Sequence, residues 1–376
     1  MRCTTCSLVC EPSCANQNPM CDLMCGPPKC QCRSGYARNN RGPHNMERLE
    51  TPKIVPSYYI LDDPISSDPL WTHFEDAVRK EGWRGCDNAM LKVVQGMSST
   101  HAVFAQSEED NKMMGFVVWH ESKVMAWIGF YYVNDDYRGN GLGSTIWKRA
   151  LNRIPNYKII GLRSEFLVTV AEMADNYKKT TTPYEADVFH SYYLSADQIL
   201  GFCAKYSPSP NSEELKLIGN LTDDEFRSYA KYDELVTGMD RTAIVRKYFS
   251  FEDSEGSVLI DKSGNVVAQA AIVETGYPSG GEFKFQNLFC DDIHQAAKLL
   301  APLMEFSKVR HSNPNVIIYL PDETEGDKLV AKLKEMFPES MTPGKGYPTL
   351  YSREYKLPLD TKKSWLPPNA NLLCDA

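Results

Sequence analysis

The stretch from Val124 to Leu151 constrains the fold of this chain more than any other part of it. It opens with Val124-Met-Ala-Trp-Ile-Gly-Phe-Tyr-Tyr-Val133, a run rich in β-branched and aromatic residues that predicts a buried strand. It continues through Arg138-Gly139-Asn140-Gly141-Leu142-Gly143-Ser144, after which Leu142, Ile146, Ala150 and Leu151 repeat at helical spacing while Lys148, Arg149 and Asn152 face out. Glycine removes the Cβ that would keep a ligand away from backbone N–H groups. The first N–H groups of a helix lack intrahelical partners and lie at the positive end of its dipole. Such a turn can hold a phosphate or diphosphate without a dedicated side chain, and Arg138 can add a charge-assisted contact. The plain alternative is a turn that merely connects strand to helix. The long strand before it, the arginine at its entry, the amphipathic helix and the strand Tyr157–Leu162 beyond it favour binding.

Two familiar phosphate motifs do not fit. A P-loop needs lysine after its last glycine, and this chain reads Gly143-Ser144-Thr145. A dinucleotide fingerprint needs a third glycine where Ser144 stands, although Glu165 could pose as its ribose-binding acid. That motif also follows the first strand of its fold, whereas two antiparallel-looking strands precede this turn. Upstream, residues 71–82 read as an amphipathic helix opened by Asp68-Pro69, and Asn88 to Gly96 as a second. His101–Gln106 and Met113–His120 form a hairpin around the acidic turn Ser107–Asn111. Downstream, a helix is expected near Val170–Lys179 and an aromatic strand over Val188–Leu194.

After a proline- and serine-rich linker at 205–213, the order repeats. Helical patterns cover Asp223–Lys231 and Arg241–Phe249, and a hairpin joins Gly256–Ile260 to Val266–Val273. A strand at Phe285–Phe289 leads to a helix at Ile293–Phe306, then a strand at Asn315–Leu320, a helix at Gly326–Met336 and a last strand at Leu350–Leu357. Where the glycine turn should recur stands Cys290-Asp291-Asp292-Ile293-His294, whose carboxylates would repel a diphosphate.

Arg138-Gly139-Asn140-Gly141-Leu142-Gly143, with Val133 and Tyr137 ahead of it, fits R/Q-x-x-G-x-G/A and resembles the acetyl-CoA loop of GNAT-type N-acetyltransferases. The element order over roughly residues 54–200 matches that fold too. The resemblance implies an α/β (α+β mixed sheet) protein of two tandem GNAT-like lobes, a catalytic one at 57–204 and a degenerate one at 214–359, with a tail at 360–376. It further implies that backbone N–H groups of Arg138, Gly139, Asn140, Gly141, Leu142, Gly143 and Ser144 hold the diphosphate of acetyl-CoA or another acyl-CoA. Tyr131, Tyr132 and Val133 would pair with pantetheine, and the acyl group would pass directly to a small-molecule or peptide amine. No metal is implied. The amine must lose a proton and the leaving thiolate must gain one. On the family pattern Tyr177 is the acid, and Glu121 and Glu165 are candidates for the base, each with a surface role as the alternative; His120 is a weaker choice. Tyr232–Arg241 resembles a signature of two-lobed relatives, so Asp240 and Arg241 are candidates for a substrate cleft; a helix cap with a structural partner is the alternative.

The front of the chain follows other rules. Cys3, Cys6, Cys10, Cys14, Cys21, Cys25, Cys30 and Cys32 crowd a segment with no apolar periodicity, which needs cross-links to hold a shape. Disulfides are the expected staple and zinc the competing one. The spacing from Cys10 to Cys32, followed by Gly35-Tyr36-Ala37-Arg38, resembles trypsin-inhibitor-like modules. That resemblance implies a disulfide-bonded segment at 1–45, an inhibitory loop Cys21–Cys25 with Leu23 as specificity residue, and a peptidase as partner. Residues 46–56 suit a linker. A secreted peptidase inhibitor or binding protein with inactive lobes is therefore the second functional class to set beside an acyltransferase.

Net charge is −8, from 41 basic and 49 acidic side chains, which argues against a nucleic-acid partner. No apolar run is long enough to span a bilayer. The Met1 terminus carries no secretory signal, which points to the cytoplasm, while the cysteines point outside the cell. Asn220-Leu-Thr222 would be a glycosylation site in a secreted chain.

Overall fold

A computed structural model describes residues 56–83, 87–163, 184–206, 213–276, 280–321, 324–344, 346–356 and 358–368, together with short strand segments within the first 50 residues. The front segment and the turn Asn134–Leu142 form one unit, and the remainder forms another that contains both lobes.

The first lobe runs β1 (Tyr58–Asp62), α1 (Pro69–Glu81), α2 (Asn88–Gln95), β2 (Thr100–Ser107), β3 (Met113–Glu121), β4 (Met125–Val133), α3 (Leu142–Arg153), β5 (Ile159–Arg163), β6 (Tyr184–Ser195) and α4 (Ala196–Tyr206). The second runs β7 (Glu214–Leu217), α5 (Asp223–Thr237), α6 (Thr242–Tyr248), β8 (Ser254–Ile260), β9 (Val266–Glu274), β10 (Glu282–Phe289), α7 (Ile293–Arg310), β11 (Asn315–Pro321), α8 (Gly326–Met336), β12 (Gly346–Tyr351) and β13 (Ser364–Leu366). Capping chemistry sets the helix ends. The Asp68 carboxylate accepts from Leu70 N at the start of α1, and left-handed Gly82 ends it. Thr222 and Glu225 form a reciprocal capping box on α5.

All thirteen strands belong to one sheet, in the order β7-β8-β9-β10-β11-β6-β12-β5-β4-β3-β2-β1, with β13 paired to β10. The middle of that order shows how the lobes are joined. β12, from the end of the second lobe, lies between β5 and β6, and β6, from the end of the first, lies against β11. Each lobe therefore borrows its neighbour's last strand. The core beneath α1 and α2 extends across this junction, since Leu70, Trp71, Phe74, Phe104, Phe116 and Phe130 share it with Tyr248 of α6, Val273 of β9 and Tyr351 of β12. A second core joins α4 of the first lobe to α7, α8 and β13.

The structure extends several expectations. The last strand begins at Gly346 and ends at Tyr351 rather than covering Leu350–Leu357. The tail expected beyond residue 359 contributes a strand, Ser364–Leu366, buried in the second lobe. The helix expected near Val170–Lys179 lies outside the described residues, as do the side chains of the eight front cysteines and Leu23. Cys203 and Cys290 are free thiols buried in the lobes, and burial pushes the Cys203 thiol up to about 12.

Candidate acyl-CoA site at the exit of strand β4

Among the described residues β4 pairs in parallel with β5 from Met125–Ile128 against Ile159–Leu162, and β4 continues to Val133, whereas the residues after Arg163 of β5 lie outside the described ones. A bulge against β3 falls at Gly129, between Ile128 and Phe130. The extra residue shifts the alternation of side chains by one. Before it, Met125 and Trp127 enter the core under α1 and α2; after it, Phe130 and Tyr132 do. Tyr131 is thereby turned to the opposite face, where its ring meets Trp147 of α3 edge-on at 5.3 Å. The bulge sets the direction in which β4 delivers its last residues.

The turn that follows is built from its own backbone. Asn134 Oδ1 accepts from Asp136 N at 3.1 Å, opening a single 3-10 turn over Asp135–Tyr137. Arg138 pairs with Asp135 at 2.5 Å on the surface. Gly139 and Gly141 have φ of 83° and 82°, a left-handed backbone that favours glycine. A Cβ added at either would meet no described atom within 4 Å, so the demand for glycine there is conformational. Gly143 serves a different purpose. A Cβ on it would strike the Tyr131 hydroxyl and come within 3.1 Å of Val133 Cγ2, so the first turn of α3 seats against β4 with no room for a side chain unless Tyr131 moves. Leu142, Ile146 and Ala150 are buried, as the spacing predicted, while Leu151 is only partly buried and Trp147, outside that pattern, is buried too.

This local chemistry fits the diphosphate and pantetheine of an acyl-CoA. Two left-handed glycines, beside which an added Cβ would meet no described atom within 4 Å, lead to a helix that begins at Leu142.

The remaining candidates scatter. Glu121 stands opposite Ala126, about 23 Å along β4 from Val133 at a strand rise of about 3.3 Å per residue. Its carboxylate pairs with Lys158 at 2.7 Å and accepts from Trp119 Nε1 at 3.0 Å. The structure does not bring it to the strand's exit. His120 is fully buried, with Nδ1 at 2.9 Å from Thr100 Oγ1 and no partner at Nε2 among the described residues. Burial brings its pKa down to about 4, with the nearby His101 adding to the effect. Tyr177 and Glu165 lie outside the described residues.

Asp240 and Arg241 part company. Asp240 is exposed and accepts from Thr242 N and Oγ1 at the start of α6. Arg241 is buried and grips the Asp233 carboxylate with both Nε and Nη2, at 2.9 and 3.2 Å, while Gln269 Nε2 donates to the same carboxylate at 2.8 Å. The pair does not line a cleft together: one residue caps a helix and the other holds α5 to α6. Asp233 gave no signal in sequence, because an acid on an amphipathic helix reads as surface. Asp87 was missed for the same reason. It caps α2, accepting from Met90 N, and is fully buried against the second lobe, where Lys284 Nζ lies at 3.0 Å and Gln286 Nε2 at 2.9 Å.

The fold and the strand–turn–helix site define a tandem GNAT-like architecture, and residues 68–176 match the model of the acetyltransferase (GNAT) family. The chain is 28% identical over 314 residues to an uncharacterized Caenorhabditis elegans protein, F36G3.2, covering 83% of this chain and 96% of that one. It is 25% identical over 266 residues to holothin acyltransferase of Pseudoalteromonas sp. (strain SANK 73390), covering 68% and 80%. A tandem GNAT protein from the clavulanic acid biosynthesis pathway superposes with a TM-score of 0.56 at 12% identity, over 80% of this chain and all of that one. A Pyrococcus horikoshii protein taken to be an acetyltransferase gives 0.55 at 15% identity, over 86% and 97%. Among the described residues no helix is long and apolar enough to cross a membrane, and no cluster of potential metal ligands occurs.

Proposed function

We propose that this chain is an acyl-CoA-dependent N-acyltransferase whose first lobe moves an acetyl or related acyl group to an amine. One observation carries the reading: after the bulge at Gly129, β4 enters a turn with left-handed glycines at 139 and 141 that opens α3. The GNAT match over residues 68–176 and the likeness to a bacterial acyltransferase support it.

Bound there, acyl-CoA supplies the activated acyl carbonyl. Backbone N–H groups between Gly139 and Ser144 hold its diphosphate, with the dipole of α3 and the Arg138 guanidinium contributing positive potential, while the Arg138 N–H itself donates to Asp135 O within the turn. The backbone of Tyr131, Tyr132 and Val133 aligns pantetheine as an added strand, which brings the thioester to the point where β4 and β5 part. Gly143 keeps the helix close enough to the strand for both contacts to be made at once. Tyr177 is the proposed donor to the departing sulfur, and Glu165, or water, the acceptor of the amine proton. Glu121 stands opposite Ala126, far from the diphosphate end of β4 but about 7 Å along the strand from Ile128, and stays a second candidate for the base, its carboxylate paired with Lys158.

Titrating acetyl-CoA into the protein by calorimetry tests the proposal. Saturable heat that disappears in the double variant Arg138→Glu, Gly141→Asp is expected, followed by amine-dependent release of free thiol. Undiminished binding by that variant counts against the loop assignment.

A further inference from the structure

The second lobe repeats the geometry of the first up to one point. β10 pairs in parallel with β11 only over Glu282–Lys284 against Asn315–Ile317, then continues to Phe289, so the two strands diverge. Here the divergence is filled by the chain itself. β13 pairs antiparallel with β10 at Leu288–Leu366 and Phe289–Ser364, and Cys290 N donates to Lys363 O at 3.0 Å. Trp365 and Leu366 are buried in the core formed by α7, α8, β10 and β11. Gly326, the first residue of α8, has no room for a Cβ because the Trp365 carbonyl oxygen and the Leu320 side chain occupy the space.

The helix start has been treated the same way. Asp292 Oδ1 accepts from His294 N at 2.8 Å and Gln295 N at 2.9 Å, so a carboxylate of the chain lies on the first amides of α7. Gln295 Oε1 accepts from Asp291 N at 2.8 Å, and Lys363 ties the approaching tail to Asp291 at 2.5 Å. A carboxylate stands where a phosphate would lie, and an extended peptide stands where pantetheine would run.

We infer that the divergence between β10 and β11 is a peptide-binding groove whose resident ligand is the chain's own C-terminal segment, and that this occupancy closes the second lobe to acyl-CoA. The ligand class is an extended strand offering backbone hydrogen bonds on one edge and an apolar Trp-Leu pair to the core, the recognition mode of β-strand addition. The comparison with pantetheine rests on the acyltransferase reading of the first lobe; the peptide groove does not.

A chain ending at Lys356, with a peptide spanning Pro358–Pro368 added in trans, tests this. The shortened chain should melt several degrees below the full chain, and the peptide should bind saturably and restore the midpoint. The same peptide carrying Trp365→Ala and Leu366→Asp should do neither. An unchanged midpoint together with no peptide binding overturns the inference. Should the shortened chain fail to fold, full-length Gly326→Val provides the second reading. Displacing the Trp365 backbone should speed hydrogen exchange at Cys290 N at least tenfold, and unchanged exchange overturns the inference. Acetyl-CoA titration of the full chain separates the two proposals: one equivalent agrees with both, two equivalents sink the closed second lobe, and none sinks only the acyltransferase reading.

Discussion

The two lobes share one plan, yet the strand exits at their centres differ in kind. At the end of β4 the chain uses glycines with positive φ, beside which a Cβ would meet no described atom within 4 Å. At the end of β10 it uses Cys290, Asp291 and Asp292, lays a carboxylate across the first amides of α7 and seats β13 in the divergence. Among the described residues no strand takes the place beside β4 that β13 takes beside β10. An anion-binding helix start is thus a property of the residues at the turn rather than of the fold. Acidic side chains make it self-sufficient, and glycines make it receptive.

The contrast extends to polar burial. The second lobe holds its helices with Asp233, Arg241 and Gln269, and meets the first lobe through Lys284 against Asp87. Removing one partner of a buried pair leaves the other charge uncompensated, at a cost of about 3–5 kcal/mol. Asp233→Ala and Lys284→Ala should each lower unfolding free energy by about that much in urea titrations. Arg138→Ala, which breaks an exposed pair with Asp135, should change stability by less than about 1 kcal/mol. Equal losses at all three positions would erase the distinction between a structural second lobe and a receptive turn in the first.

His120 gives the next effect in size. Its folded pKa of about 4 lies below the ordinary value of 6.5, so the unfolded chain binds the extra proton first as pH falls. Its contribution is complete above pH 6.5 and is lost as pH drops toward 4, an effect on the order of 3 kcal/mol. His120→Leu should flatten the stability profile in that window, measured by denaturant midpoints at a series of pH values. A profile that keeps its slope would assign the acid sensitivity to other groups.

The smallest expected free-energy change with a large functional readout is at Gly141. Gly141→Asp places a side chain in the left-handed region, at a strain of about 1–2 kcal/mol, and a negative charge beside the diphosphate. Acetyl-CoA affinity should fall about 100-fold, or about 2.7 kcal/mol. The melting temperature should move far less than in Asp233→Ala, which differential scanning fluorimetry would show.

Much of this contrast was visible in the sequence. The glycine turn, the buried strand before it, the helix after it and the acidic substitute at Asp291 and Asp292 could all be placed from spacing alone, because local backbone demands leave a residue-by-residue trace. The helix capped by Asp68 announced itself in the same way, whereas the Thr222–Glu225 capping box went unread. What could not be read was long-range pairing. β1, at Tyr58–Asp62, and β7, at Glu214–Leu217, are short edge strands whose partners alone define them. α4 presents Ala196, Ile199, Phe202 and Cys203 to a core supplied by the second lobe, so its apolar stretch carries weak helical contrast. The exchange of β6 and β12 between lobes and the seating of Trp365 and Leu366 beside β10 depend on partners a hundred or more residues away in β5 and β11 or on the far side of α7 and α8. Gly129 looked like one more strand residue, although its bulge decides which face Tyr131 meets.

Calorimetric titration of acetyl-CoA into the full chain, run beside the Gly141→Asp variant, tests the receptive turn most directly. One saturable equivalent per chain, weakened about 100-fold in the variant while its fold is retained, is the expected result. No binding by the parent chain, or equal binding by both, would contradict the assignment of the β4 exit as an acyl-CoA site.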